Sequence, residues 1–134
     1  MNTIHRFILK ASFGKLGWKG YGMPVLELTT TGRVSGKPRT VLLTSPLQEG
    51  DTMMIVASRG GDDVNPAWLH NIQAEPRVQV KTADGPARPM RARVATPEER
   101  ARLWPLIVAD HKNYGDYQKK TDREIPVVLL EPPG

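Results

Sequence analysis

Residues 24–58 read PVLELTTTGRVSGKPRTVLLTSPLQEGDTMMIVAS, and the fold turns on them. Three runs within this stretch, Val25–Thr30, Thr40–Leu47 and Thr52–Ser58, are rich in β-branched residues or alternate apolar with polar, which is strand patterning. Gln48-Glu49-Gly50-Asp51 separates the second run from the third and suits a hairpin loop, so these neighbours run antiparallel. Farther along the chain, Arg77–Thr82, Ala87–Ala95 and Ile125–Leu130 have the same character, and Ala83-Asp84-Gly85-Pro86 offers a second hairpin loop. Six strands are therefore predicted, in a mainly β fold with flanking helices: a six-stranded antiparallel barrel carrying three helices on its outside.

The helices have their own signals. Asn65 can cap a helix that begins at Pro66, presents Trp68, Leu69 and Ile72 on one face, and stops before Glu75-Pro76. Thr96-Pro97-Glu98-Glu99 is a capping box with proline at the first helical position. The helix it starts is expected to bury Ala101, Trp104 and Val108 with Leu103 and Ile107 alongside, and to kink at Pro105, which cannot bond the carbonyl of Ala101. Before the first strand, Asn2 to Leu16 reads as a helix with two apolar stripes, Ile4/Phe7/Ile8/Ala11 and Leu9/Phe13/Leu16. A Gly-rich run follows it. Residues 1–22 are thus expected as helix and linker, and residues 23–134 as the barrel domain.

Composition narrows the chemistry. The chain has 134 residues, 12 Gly and 12 Pro, a turn-rich content that favours short strands over a helical bundle. With no cysteine, disulfides, thiolate metal ligands and cysteine nucleophiles are excluded, and a reducing cytoplasmic location is unopposed. The apolar run Ile125 to Leu130 is far short of the ~20 residues that span a bilayer. Residues 1–20 also lack the apolar core of a signal peptide. The net charge is +5, and four of the cations, Arg6, Lys10, Lys15 and Lys19, fall in the first twenty residues without an acid among them. Two further clusters are Arg33/Lys37/Arg39 and Arg88/Arg91/Arg93. Such concentration points to an anionic small molecule or a membrane surface, and nucleic acid is not expected as a partner.

Thr31-Gly-Arg-Val-Ser-Gly-Lys-Pro-Arg39 has the character of an anion-binding loop, since glycines expose backbone N–H groups and cations flank them. It is not a P-loop, because the glycine spacing is wrong and a strand follows; a solvated basic hairpin is the plain alternative. Ser58-Arg59-Gly60-Gly61, at the end of the third strand, repeats the combination of hydroxyl, guanidinium and amides. Two such loops at strand ends suggest a site for a phosphorylated or polycarboxylate ligand. The histidines His5, His70 and His111 are not spaced as metal ligands, and no metal is expected. Tyr114 and Tyr117 can share a helical face and line a pocket. With anion loops and aromatics but no strong acid–base set, the chemistry belongs to an organic cofactor.

Taken in order, Leu28–Arg39, Val56–Gly61, Asn65-Pro-Ala-Trp68 with Asn71, Glu75-Pro76, Thr96–Glu99, Trp104-Pro105, and Tyr114-Gly-Asp-Tyr117 with Thr121-Asp-Arg123 resemble the deazaflavin-dependent nitroreductase family of actinobacteria, from about residue 24 to Pro132. The resemblance implies a split β-barrel related to FMN-binding barrels and the cofactor coenzyme F-420, with FMN as the runner-up. By position, Arg33, Ser35, Gly36, Lys37, Pro38 and Arg39 would hold its phosphate and oligoglutamate tail. Ser58, Arg59, Gly60 and Gly61 would lie near phosphate and ring, and Asn65, Trp68 and Asn71 would back the pocket. Tyr114, Tyr117 and His111 would face a small-molecule substrate, with Tyr114 and Ser58 as the catalytic donors. Val34 stands where the family often carries lysine, and His111 where a relative has tyrosine. The implied activity is hydride transfer from reduced F-420 to a quinone, a nitro compound or an activated alkene. An FMN-dependent oxidoreductase and a non-catalytic cofactor or lipid carrier on the same barrel are the other readings. Residues 1–16 either lid the barrel, meet the inner face of the cell membrane peripherally, or bury their second stripe in a homodimer.

Overall fold

The computed structural model describes residues 19–20, 23–83 and 85–133, so the expected helix Asn2–Leu16 lies outside the described residues. The strands are β1 (Lys19–Gly20), β2 (Met23–Thr31), β3 (Pro38–Thr44), β4 (Leu47–Glu49), β5 (Thr52–Val56), β6 (Arg77–Lys81), β7 (Arg88–Val94) and β8 (Val127–Glu131). The helices are α1 (Ala67–Ala74), α2 (Pro97–Asp110) and α3 (Lys112–Lys119), with a 3-10 turn at Arg59–Gly61. Every pairing is antiparallel, in the order β1-β2-β6-β7-β8-β5-β4, and β3 pairs with β2 off this path, along Val25–Thr31.

The sheet curls until its two ends, β3 and β4, are consecutive in the chain. They are the two halves of the expected strand Thr40–Leu47, divided at Ser45-Pro46, so the six expected strands are present and the count rises to eight through this break and the two-residue β1. Proline has no N–H to carry a ladder across the break. Ser45 satisfies the corner instead: its N–H donates to Pro24 O at 2.9 Å, and its hydroxyl lies 2.7 Å from Met54 O and 3.0 Å from Leu47 O. The barrel is split there, and among the described residues the far edge of β3 pairs with no strand.

Two cores result. One fills the barrel with Leu26, Leu28, Ile55, Val80, Ala92 and Leu130, closed by Trp68, Leu69 and Ile72 of α1. The other lies outside β5 and β8, where Met54, Val127 and Leu129 meet Leu103 and Ile107 of α2 and Tyr114 of α3. Strands β5 and β8 are thus covered on both faces, which explains their unbroken apolar runs, whereas β6 alternates because its outer face meets water.

Two helix expectations need correction. The buried face of α2 is Leu103 and Ile107, one turn apart, while Ala101 is exposed. Arg100 decides this, because its guanidinium covers the Trp104 ring at 4.3 Å and donates to Ile125 O at 2.9 Å, turning Ala101 to solvent. The cap of α1 is Pro66 without a side-chain bond, since the Asn65 side chain is engaged elsewhere.

The capping box of α2 forms as expected, with Glu99 N–H donating to Thr96 Oγ1 at 3.2 Å and Thr96 N–H donating to Glu99 Oε1 at 2.9 Å. Arg93 of β7 then ties this helix start to β8, donating to Glu99 and Glu131 at 2.7 Å each. These bonds, Arg93 first, hold the Glu99 carboxyl at about 2 against an ordinary 4.5. A depressed folded-state value adds stability above the unfolded value and loses it as pH falls through the folded one. Acid titration of unfolding free energy is therefore expected to show a loss between about pH 4.5 and 2 that is shallower in Glu99→Gln; equal slopes over that window would contradict it.

Candidate functional site

The loop joining β2 to β3 is a closed, amide-lined turn. Gly32 N–H donates to Lys37 O, and Gly36 N–H donates to Gly32 O, both at 2.8 Å. Ser35 Oγ accepts from Lys37 N–H at 3.1 Å and from Arg39 Nη2 at 3.3 Å. A side chain at Gly32 would meet Ser35 Oγ at 2.7 Å, so only glycine lets the loop close this tightly. Asn71 of α1 holds the loop from beneath, accepting from Arg33 N–H and donating to Thr30 Oγ1, both at 3.0 Å. Arg33, Ser35, Pro38, Arg39, Trp68 and Asn71 come together around a groove of about 720 Å³.

A second groove of about 620 Å³ continues from the first, because Val41 and Trp68 line both. Its wall brings together Ser58, Arg59, Gly60, Tyr114 and Tyr117, facing Met23, Val25 and Leu43. The two form one trough over β3, opened by the barrel's split. One end is cationic and rich in amides, the other apolar and aromatic.

At the apolar end, Ser58 has right-handed backbone and Arg59 a φ of +46°. This alternation turns successive N–H groups to one side, an arrangement that attracts anionic oxygen. Among the described residues the Ser58 hydroxyl has no hydrogen-bond partner, although the residue is only 8% exposed. The Tyr114 hydroxyl shares a 3.2 Å hydrogen bond with Thr44 Oγ1 and lies 3.7 Å from Met23 Sδ. Burial pushes its pKa up, so the phenol keeps its proton at neutral pH. Tyr117 packs edge-on against Tyr114 with ring centroids 5.9 Å apart.

Other expected residues stand outside the trough. Lys37 contributes only backbone to the loop; Val34 does line the groove, 86% exposed, but offers no cation. Gly36 lines a different cleft. Gly61 lies under α3, where a Cβ would come within 2.7 Å of Tyr117 O. His111 joins α2 to α3 with its ring edge-on to Tyr114 at 6.5 Å. Asn65 Oδ1 accepts from Arg123 at 2.8 Å.

That arginine is the structural residue which sequence reasoning missed. Arg123 Nη2 also donates to Ser58 O at 2.9 Å and Ala57 O at 3.2 Å, and Nε to Asp62 O at 2.8 Å. One guanidinium thus shapes the whole 57–65 turn. The motif Thr121-Asp-Arg123 marked the position, but its partners are mostly carbonyls, which leave no trace in sequence. His70, Thr44 and Asn113 were missed as trough residues too; Thr44 sits on a strand patterned like any other.

Against known proteins, residues 3–132 match the family model described as F-420H(2)-dependent quinone reductase. An F-420H(2)-dependent quinone reductase of Mycobacterium tuberculosis is 39% identical over 132 residues, covering 95% of this chain and 87% of that protein. Among solved structures, an F-420H2-dependent reductase superposes with a TM-score of 0.70 at 42% identity, covering 81% of this chain and 94% of its own. A second, described as a domain-swapped dimer, gives 0.71 at 35% identity over 96% and 100% of the two chains.

Proposed function

Because this chain belongs to the F-420H(2)-dependent quinone reductase family, we propose that its trough holds the coenzyme with the phosphate against the 32–39 loop and the deazaflavin ring toward Ser58 and Tyr114. The chain is an oxidoreductase that uses coenzyme F-420 and passes hydride to a quinone, a small-molecule substrate. The observation supporting this placement is the trough's polarity, cationic and amide-lined at one end, apolar and aromatic at the other, as a ligand with an anionic arm and a flat ring requires. Nitro compounds and activated alkenes are further acceptors in this reading.

When bound, the reduced coenzyme supplies hydride from a ring carbon. Arg33 and Arg39 offer N–H donors to the phosphate, and Ser35 and Asn71 keep that loop in shape before the ligand arrives. Trp68 walls both halves of the trough and excludes water from the middle. Ser58 directs an unengaged hydroxyl, and Tyr114 a proton held through Thr44, toward the apolar end, where a reduced quinone oxygen needs a proton. The edge amides of β3 lie along the same floor.

Fluorescence titration tests the placement. Coenzyme F-420 is expected to bind more tightly than FMN, and Arg39→Ala to weaken it by roughly 1.5–3 kcal/mol, the range for hydrogen bonds to a charged group. Equal affinities for the two cofactors would remove the reading. For proton supply, Tyr114→Phe is expected to lower kcat about ten- to a hundredfold with cofactor affinity nearly intact. An unchanged kcat on several quinones would reduce the ring to apolar lining.

For residues 1–22, set apart here from a barrel domain of 23–134, peripheral contact of the 1–16 segment with anionic lipid is retained from the charge pattern, in a protein otherwise in the cytoplasm; vesicle co-sedimentation that survives deletion of 1–16 would dismiss it. The relative described as a domain-swapped dimer supports a homodimer, which sedimentation velocity checks.

A further inference from the structure

Helix α3 borders the apolar end of the trough, and its spacing sets which residues reach the rim. Asn113 and Tyr117, one turn apart, both line the trough. Lys120 follows as the C-terminal cap, and because its backbone is still helical it continues the same face. Two contacts hold it there. Its aliphatic stem lies on Gly61, where a Cβ would come within 3.1 Å of Lys120 Cβ and Cδ, and its ammonium stands over the Tyr117 ring, 5.7 Å from the centroid. A cation thus borders the aromatic wall at the end away from the 32–39 loop. We infer that Lys120 determines acceptor specificity, and that the favoured substrate is a quinone with an acidic side arm, its ring beside Tyr117 and its carboxylate at the Lys120 ammonium. This rests on the ring placement given under Proposed function.

The charges support an added anion at this rim. Lys120 is exposed and makes no ion pair among the described residues, although Asp116 lies one turn before it and Asp122 two residues after. Arg59 borders the same end but has Asp62 at 3.8 Å as its counter-charge. A neutral acceptor uses only the apolar wall and gains nothing from the ammonium. An arm ending in a carboxylate gains a charge pair there, and its uncharged ester does not. The gain is modest, because water reaches the lysine and screens the pair.

Steady-state kinetics with saturating reduced F-420 test this, using a para-naphthoquinone that carries a propionate arm and the methyl ester of the same compound. The two share one ring and differ in one charge. Two variants accompany the wild type: Lys120→Gln, and Lys119→Gln, which removes an exposed cation from the same helix on a face turned away from Tyr117. Wild type is expected to show a KM about three- to fivefold lower for the acid than for the ester at low salt, with similar kcat, and the difference should fade as salt is added. Lys120→Gln should bring the two KM values together, and Lys119→Gln should keep them apart. Fluorescence titration should give all three proteins the same affinity for coenzyme F-420. Equal wild-type KM values for acid and ester, or the same change in both variants, overturns the inference and leaves the trough placement standing. Weaker coenzyme binding in Lys120→Gln also overturns it, by assigning the lysine to the coenzyme. Reduction of neither compound overturns the trough placement and the inference with it.

Discussion

Trp68→Ala is expected to cost about 3–5 kcal/mol of stability, the range for emptying a large buried aromatic site. Trp68 is 6% exposed and closes the interior of the barrel together with Leu69 and Ile72, on the side where the split leaves β3 without a second neighbour. No strand can collapse into the vacated volume there, so little of the loss is recovered by relaxation. The same ring walls both halves of the trough, and its removal should therefore weaken F-420 binding as well as folding. Urea denaturation with the coenzyme absent reads the first effect, and titration under native conditions reads the second. Trp68→Phe should restore a large part of the stability. A loss below about 1 kcal/mol in the alanine variant would mean that the ring lies on the surface rather than in the core.

Arg123→Gln carries the second large effect. Its guanidinium donates to three backbone oxygens, of Ala57, Ser58 and Asp62, and to the Asn65 side chain. Removing it leaves half-buried carbonyls without donors and releases a turn that already contains Arg59 at a φ of +46° and Gly61 at +85°. The expected cost is about 3 kcal/mol, with a fall in kcat, because the Ser58 hydroxyl and the neighbouring amides lose their fixed direction. Arg123→Lys should recover only part of either quantity, since one ammonium cannot follow four acceptors spread around a planar fork. Stability and kcat both within experimental error of wild type in Arg123→Gln would show that the turn holds its shape without the clamp.

Much of the candidate site was legible because its signals are local. Glycines and cations within nine residues marked the 32–39 loop, and Ser58-Arg59-Gly60-Gly61 declared itself by composition. What local patterning could not show was aim. Lys37 belongs to the same loop as Arg39, yet only Arg39 reaches the groove, because the tight closure of Gly32 on Lys37 O sets which side chains turn inward. Asn65 before Pro66 has the pattern of a helix cap, whereas an arginine 58 residues away claims its oxygen. The Ala101 face of α2 failed for a similar reason, because Arg100, engaged with the carbonyl of Ile125, reorients the helix.

The sequence by itself determined the six strand segments, the two hairpins, the capping box and the basic glycine loop, since alternation, turn residues and caps act over a few neighbouring residues. Only the tertiary structure decided that Pro46 would split one strand, that the split would open a trough along β3, and that Trp68 would join its two ends. It also decided the pairing of Arg77 with Arg91 across β6 and β7, and the grip of Arg123 on the 57–65 turn. Those features depend on sheet register and on backbone carbonyls meeting across long sequence separations. Such acceptors are the same at every residue, so the sequence carries no mark of which ones will be used.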